Sequence, residues 1–184
     1  MSDSADYPVL RHALAALAYR TQKAVRAAGP SFAGFSPGHG VRTPQELVRH
    51  MESVIGYAVT FFDPVERRFQ AEPRATFTEQ IAAFSERLAE LAARLEAGAA
   101  MHRGLTATRL LQGPIADAIT HAGQLALLRR LADDPIPPEN FIFADISPER
   151  LGDVQSPAVR PGNSRGAWPD APGGPRILAT PPSP

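Results

Sequence analysis

Between residues 76 and 97, large apolar side chains recur at Phe77, Ile81, Phe84, Leu88, Leu91 and Leu95, in alternating steps of four and three. That spacing puts all six on one stripe of an α-helix, and no strand could gather them on a single face. It is the inward seam of a helix in a bundle. Gly98 follows where such a helix would stop.

Three other segments carry the same period. Residues 8–28 place Leu10, Leu14, Leu17, Thr21 and Val25 on one stripe, and a Gly/Pro-rich stretch over 29–42 ends them as a long first connection. The next helix starts at Thr43-Pro44-Gln45-Glu46, an N-cap threonine with proline at the first helical position and glutamate at the third. Its stripe is Leu47, Met51, Val54, Ile55, Ala58 and Phe62, and Asp63-Pro64 stops it. The last helix opens by Gly113-Pro114, or a turn or two earlier, and runs to about Asp133 with Ile115, Ile119, Ala122, Leu125 and Leu128 inward. Pro135, Pro137 and Pro138 end it. Four amphipathic helices and no alternating strand pattern predict an all-α four-helix bundle.

The bundle with a short extension is expected to fill residues 1–150. Within that extension Phe141-Ile142-Phe143-Ala144-Asp145-Ile146 reads as an apolar island packing back on the helices. Residues 151–184 are a Pro/Gly-rich tail, read as extended or disordered.

Bulk composition removes several function classes. Formal net charge is zero and the basic residues are scattered, so nothing points to nucleic acid. There is no cysteine, hence no disulfide, thiolate ligand or cysteine nucleophile, and any thiol must arrive on a small molecule. The acidic start, Met1-Ser2-Asp3-Ser4-Ala5-Asp6, is unlike a secretory signal, and no apolar run reaches membrane-spanning length. The expected compartment is the cytoplasm, with no membrane partner. Gly162-Asn163-Ser164-Arg165-Gly166 matches the serine-hydrolase pattern but sits in the tail, without the strand–turn–helix setting that pattern needs. Glycine-rich dinucleotide loops, Walker loops, H-E-x-x-H and paired Glu-x-x-His motifs are absent from the sequence.

One constellation remains. Asp117 and His121 lie four residues apart, one turn apart on one side of the last helix, in an otherwise small or apolar stretch. A carboxylate and an imidazole there are costly to bury unless paired or metal-bound. His50 lies beside the apolar stripe of the second helix, and supplies a third ligand if the second and fourth helices are neighbours. Three protein ligands with positions left for water form a catalytic-type metal site. The same spacing also suits a hydrogen-bonded Asp–His pair with no metal, and His50 alone suits a partly buried core histidine. Gln124, three residues beyond His121, could orient a ligand or make a packing contact. His12, His39 and His102 carry only structural readings.

These residues resemble the DinB-like superfamily of damage-inducible and thiol-transferase bundles. The likeness lies in Glu46-Leu47-Val48-Arg49-His50-Met51, in His121-Ala122-Gly123-Gln124-Leu125 with Leu128-Arg129-Arg130-Leu131, and in Pro135-Ile136, Asn140-Phe141 and Ala144-Asp145-Ile146, covering about residues 8–150. The resemblance implies a divalent ion, often zinc or nickel, held by a histidine triad near one end of the bundle. It also implies frequent homodimers and a small-molecule substrate. Characterised relatives activate the thiol of a low-molecular-weight cofactor such as mycothiol or bacillithiol, or act as hydrolases. Carried over, the first histidine is His50 and the last His121, with Asp117 where many members have histidine. A carboxylate binds the same ions and shifts preference slightly toward manganese or iron. No general base is visible beyond the ligands. A non-catalytic stress-response or ligand-binding bundle is the alternative expectation.

Overall fold

The computed structural model describes residues 3–159. The serine-hydrolase-like pattern at 162–166 and most of the tail expectation lie outside them. Among the described residues the chain is helical, with no β-strand. Four long helices form a bundle: α1 (Tyr7–Val25), α2 (Pro44–Val59), α3 (Phe77–Glu96) and, after the short α4 (Ala107–Leu110), α5 (Ala116–Leu131).

The helix starts follow from local chemistry. At α2 the Thr43 hydroxyl accepts from the Glu46 amide while the Glu46 carboxylate accepts from the Thr43 amide at 2.8 Å. Thr76 and Glu79 make the same reciprocal cap at α3. Each cap satisfies amides that the helix itself leaves without partners. The last helix begins at Thr106, ahead of Pro114, and passes that proline through a π-helical turn, Leu111–Ile115. Proline lacks an amide hydrogen and crowds the carbonyl four residues back, and a wider turn relieves both. The inserted residue also keeps Leu110 and Ile115 buried on one side, five positions apart.

Helices α3 and α5 each pack against both α1 and α2, so α1 and α2 occupy one diagonal of the bundle and α3 and α5 the other. The first connection crosses the end of the bundle between diagonal partners. There it buries Phe32, edge-on to Phe77 at 6.1 Å. Leu14, Met51, Ile55, Phe84, Leu88, Leu91 and Leu125 form the solvent-free interior. Each buried side chain of this size contributes about 1.5–3 kcal/mol. Phe77 and Ile81, at the start of the α3 stripe, are only partly buried.

Two polar anchors hold the periphery. Arg129, buried on α5, donates to the carbonyls of Ala24 and Arg26 at the end of α1 and pairs with Asp134. Glu139 accepts from Tyr19, Lys23 and the Val159 amide, tying the C-terminal extension to α1. Those bonds push the Glu139 carboxyl below its ordinary range despite burial, and burial pushes the Tyr19 phenol well up. The apolar island is split: Phe141 packs edge-on to Tyr19 beneath Arg20, whereas Ile142 is exposed. No helix among the described residues is long and apolar enough to cross a membrane.

Candidate metal centre

Because α2 and α5 are neighbours, His50 faces the turn of α5 that carries Asp117 and His121. His121 Nε2 lies 3.5 Å from Asp117 Oδ1, and His50 Nε2 lies 4.0 Å from Asp117 Oδ2. The imidazoles meet edge to face, with centroids 4.8 Å apart. One donor atom from each residue falls within 4.8 Å of the others, so the group can hold a metal ion. Nitrogen and oxygen ligands about 2.0–2.2 Å from a shared ion lie roughly 3–3.5 Å from each other. The Asp117–His121 edge already has that length, and a small inward swing of His50 closes the triangle.

Burial is graded across the group. His121 is buried, His50 intermediate and Asp117 exposed, so the group is open to solvent on its Asp117 side. Burial is the main cause that holds His50 below the ordinary imidazole range. The positive charge of Arg42 and the neighbouring His121 add to it, and Asp117 opposes. His50 is therefore neutral, the form that ligates, to lower pH than a free histidine.

Gln124 completes the arrangement. Its Oε1 lies 2.7 Å from His121 Nδ1, so Nδ1 carries the proton and Nε2 turns its lone pair toward Asp117 and His50. His12 and His102 lie apart from the group: the His102 amide donates to the Phe61 carbonyl.

Two clefts flank the triad along the α2–α5 groove. One, of about 640 Å³, is bounded by Ser53, Val54, Tyr57, Pro114, Asp117 and Thr120, and the π-helical turn forms its end wall. The other, of about 620 Å³, runs from Gln124 toward Leu131 beneath the first connection. Sequence reasoning missed Arg42 and gave His39 only a structural reading, and both line this second cleft. Their approach depends on three successive left-handed residues, Gly38, His39 and Gly40, for which the tripeptide Gly-His-Gly is the one sequence signal. No family model, curated protein or solved structure matches the chain.

Proposed function

We propose that this chain is a divalent-metal-dependent enzyme of the thiol-transferase or hydrolase type, built on a DinB-like bundle, with His50, Asp117 and His121 as the metal ligands. The observation that carries the reading is the convergence of two imidazole nitrogens and a carboxylate oxygen within 4.8 Å of one another, with Asp117 exposed. Three protein ligands leave coordination positions for a small molecule, the pattern of catalytic rather than closed structural sites. A bound ion lowers the pKa of a thiol or water at those positions and supplies a nucleophile at neutral pH.

The chain's own residues divide the work. Asp117 would hold the ion from the exposed side of the group and offset part of its charge. Gln124 fixes the His121 tautomer. Zinc or nickel suits the imidazole pair, and the carboxylate extends the range to manganese or iron. The flanking clefts favour transfer over hydrolysis, because a transfer reaction has to seat two organic substrates and a hydrolysis only one. A cytoplasmic homodimer is part of the same proposal.

Metal content by plasma mass spectrometry, on protein purified without a metal-affinity tag, tests it. The expected result is about one divalent ion per chain, lost in His50→Ala and in His121→Ala. Protein that arrives metal-free and takes up no zinc, nickel or manganese overturns the reading and leaves a non-catalytic bundle.

A further inference from the structure

The cleft beyond Gln124 has a composition that selects its occupant. Val41, Leu127 and Leu131 are 50%, 55% and 55% exposed, and all three line this one cleft together with Leu47. Arg42 stands at its rim, with no carboxylate within ion-pair distance among the described residues. At the inner end Gln124 touches His121. From Gln124 to Leu131 is seven residues of α5, roughly 10 Å at 1.5 Å per residue. The surface is therefore a trough of extended-ligand length, more apolar than polar, that ends at Gln124, the hydrogen-bond partner of His121, and carries a guanidinium in its lining.

We propose that this cleft is the specificity subsite of the metal centre and that it takes an amphipathic anion: an aliphatic body over Val41, Leu127 and Leu131, with a carboxylate on Arg42. The proposal rests on the metal reading above and adds the substrate class. Exposed apolar side chains gathered in a concave site mark ligand or partner contact rather than ordinary surface. A guanidinium is matched to a carboxylate by paired hydrogen bonds and charge. The left-handed run Gly38-His39-Gly40 folds the first connection over the trough, so Val41 and Arg42 enter it from the side opposite α5. A ligand that runs from the trough past Gln124 along α5 reaches Asp117, the exposed member of the group, where a thiol would reach the ion.

The test uses cobalt(II)-loaded full-length protein and two probes, mercaptooctanoate and the matching aminooctanethiol, followed by the thiolate-to-cobalt absorption band. The carboxylate probe is expected to bind about tenfold more tightly than the amine. Arg42→Gln, compared with wild type at matched cobalt content, should remove that preference, and Leu131→Ser should weaken both probes. Equal binding of the two probes by cobalt-loaded wild type, or a preference that survives Arg42→Gln, overturns the subsite and leaves the metal reading standing. A wild-type dimer that Leu131→Ser dissociates with no effect on probe binding assigns the trough to a second copy and also overturns it. Wild type that takes up no cobalt overturns the metal reading, and this proposal with it.

Discussion

His121 Nδ1 and Gln124 Oε1 are 2.7 Å apart, one turn of α5 separating the residues. With the carbonyl oxygen of Gln124 facing the ring, the bond places the imidazole proton on Nδ1 and leaves Nε2 facing Asp117, free to ligate under the metal reading proposed above. Outer partners of this kind set ligand orientation and basicity, and their loss typically lowers metal affinity about 10–100-fold. Gln124→Ala is expected to do so in a chelator competition assay. Gln124→Glu keeps an acceptor in place and should retain most of the affinity. Gln124 is exposed, so both changes should move folding stability by less than about 0.5 kcal/mol. A loss of stability with unchanged metal affinity would make it a packing residue only.

The electrostatics of His50 give a pH prediction with a definite sign. Burial, Arg42 and His121 lower its pKa from 6.5, and Asp117 partly opposes them. Just below pH 6.5 the unfolded chain therefore binds more protons at this residue than the folded one. The contribution of His50 to stability is complete above that pH and is lost as pH falls through the depressed folded value. An imidazole titration of metal-free protein by NMR should give a midpoint below 6.5. Arg42→Gln should raise that midpoint and Asp117→Asn lower it further. Identical midpoints in all three proteins would show that burial alone acts.

Which parts of this molecule were legible before coordinates follows from the range of the interactions. The seam from Phe77 to Leu95 and the Thr43 cap are local, set by spacing within a few residues. The Thr76 cap is equally local, with Glu79 three residues on. Pro114 sets only the latest start of the last helix, since proline favours the first turn, and the helix opens about two turns earlier, at Thr106. Pro114 itself sits inside a π-helical turn, a choice made by the burial of Leu110 and Ile115 on either side. Asp117, His121 and Gln124 share a helix face by arithmetic alone, whereas the approach of His50 depends on α2 packing against α5. Arg42 was out of reach because its position depends on loop dihedrals at Gly38, His39 and Gly40.

Glu52 tests the polar seam between α2 and α3. It is 2% exposed and accepts from Gln80 Nε2 at 2.6 Å, and Arg74 approaches at 3.5 Å. Burial raises its pKa above 4.5, with Arg74 and Gln80 pulling the other way. The folded state thus holds the Glu52 proton to higher pH, and this residue's contribution falls as pH rises through that window. Glu52→Gln keeps an acceptor for Gln80 and should stay within about 1 kcal/mol of wild type at neutral pH, with a flatter profile above pH 4.5. Glu52→Leu strands the fully buried Gln80 amide and should cost about 1–3 kcal/mol in denaturant unfolding. If the leucine variant is as stable as wild type, the seam is not coupled through Gln80.

Gly56 supplies a test of how the connector after α2 is seated. A Cβ placed on Gly56 would lie 2.1 Å from Cδ1 and 2.6 Å from Cγ of Phe69, so the ring rests directly on the helix backbone. The adjacent Ala71 amide donates to Ser53 Oγ at 3.0 Å, and Arg87 of α3 lies over the same ring at 5.6 Å. An added methyl cannot be absorbed by a rotation of the ring tip, because the stem carbon is also within contact range. Displacing the ring should cost about 1–3 kcal/mol. The gain from replacing a mid-helix glycine with alanine is about 0.5–1 kcal/mol. Gly56→Ala is therefore expected to lower the melting temperature, at about 2–4 °C per kcal/mol for a chain of this size. In a Phe69→Ala background the obstruction is gone and the same substitution should raise it. That reversal of sign is the diagnostic outcome of the double-mutant cycle. Equal effects in both backgrounds would mean that Phe69 does not rest on Gly56 in solution.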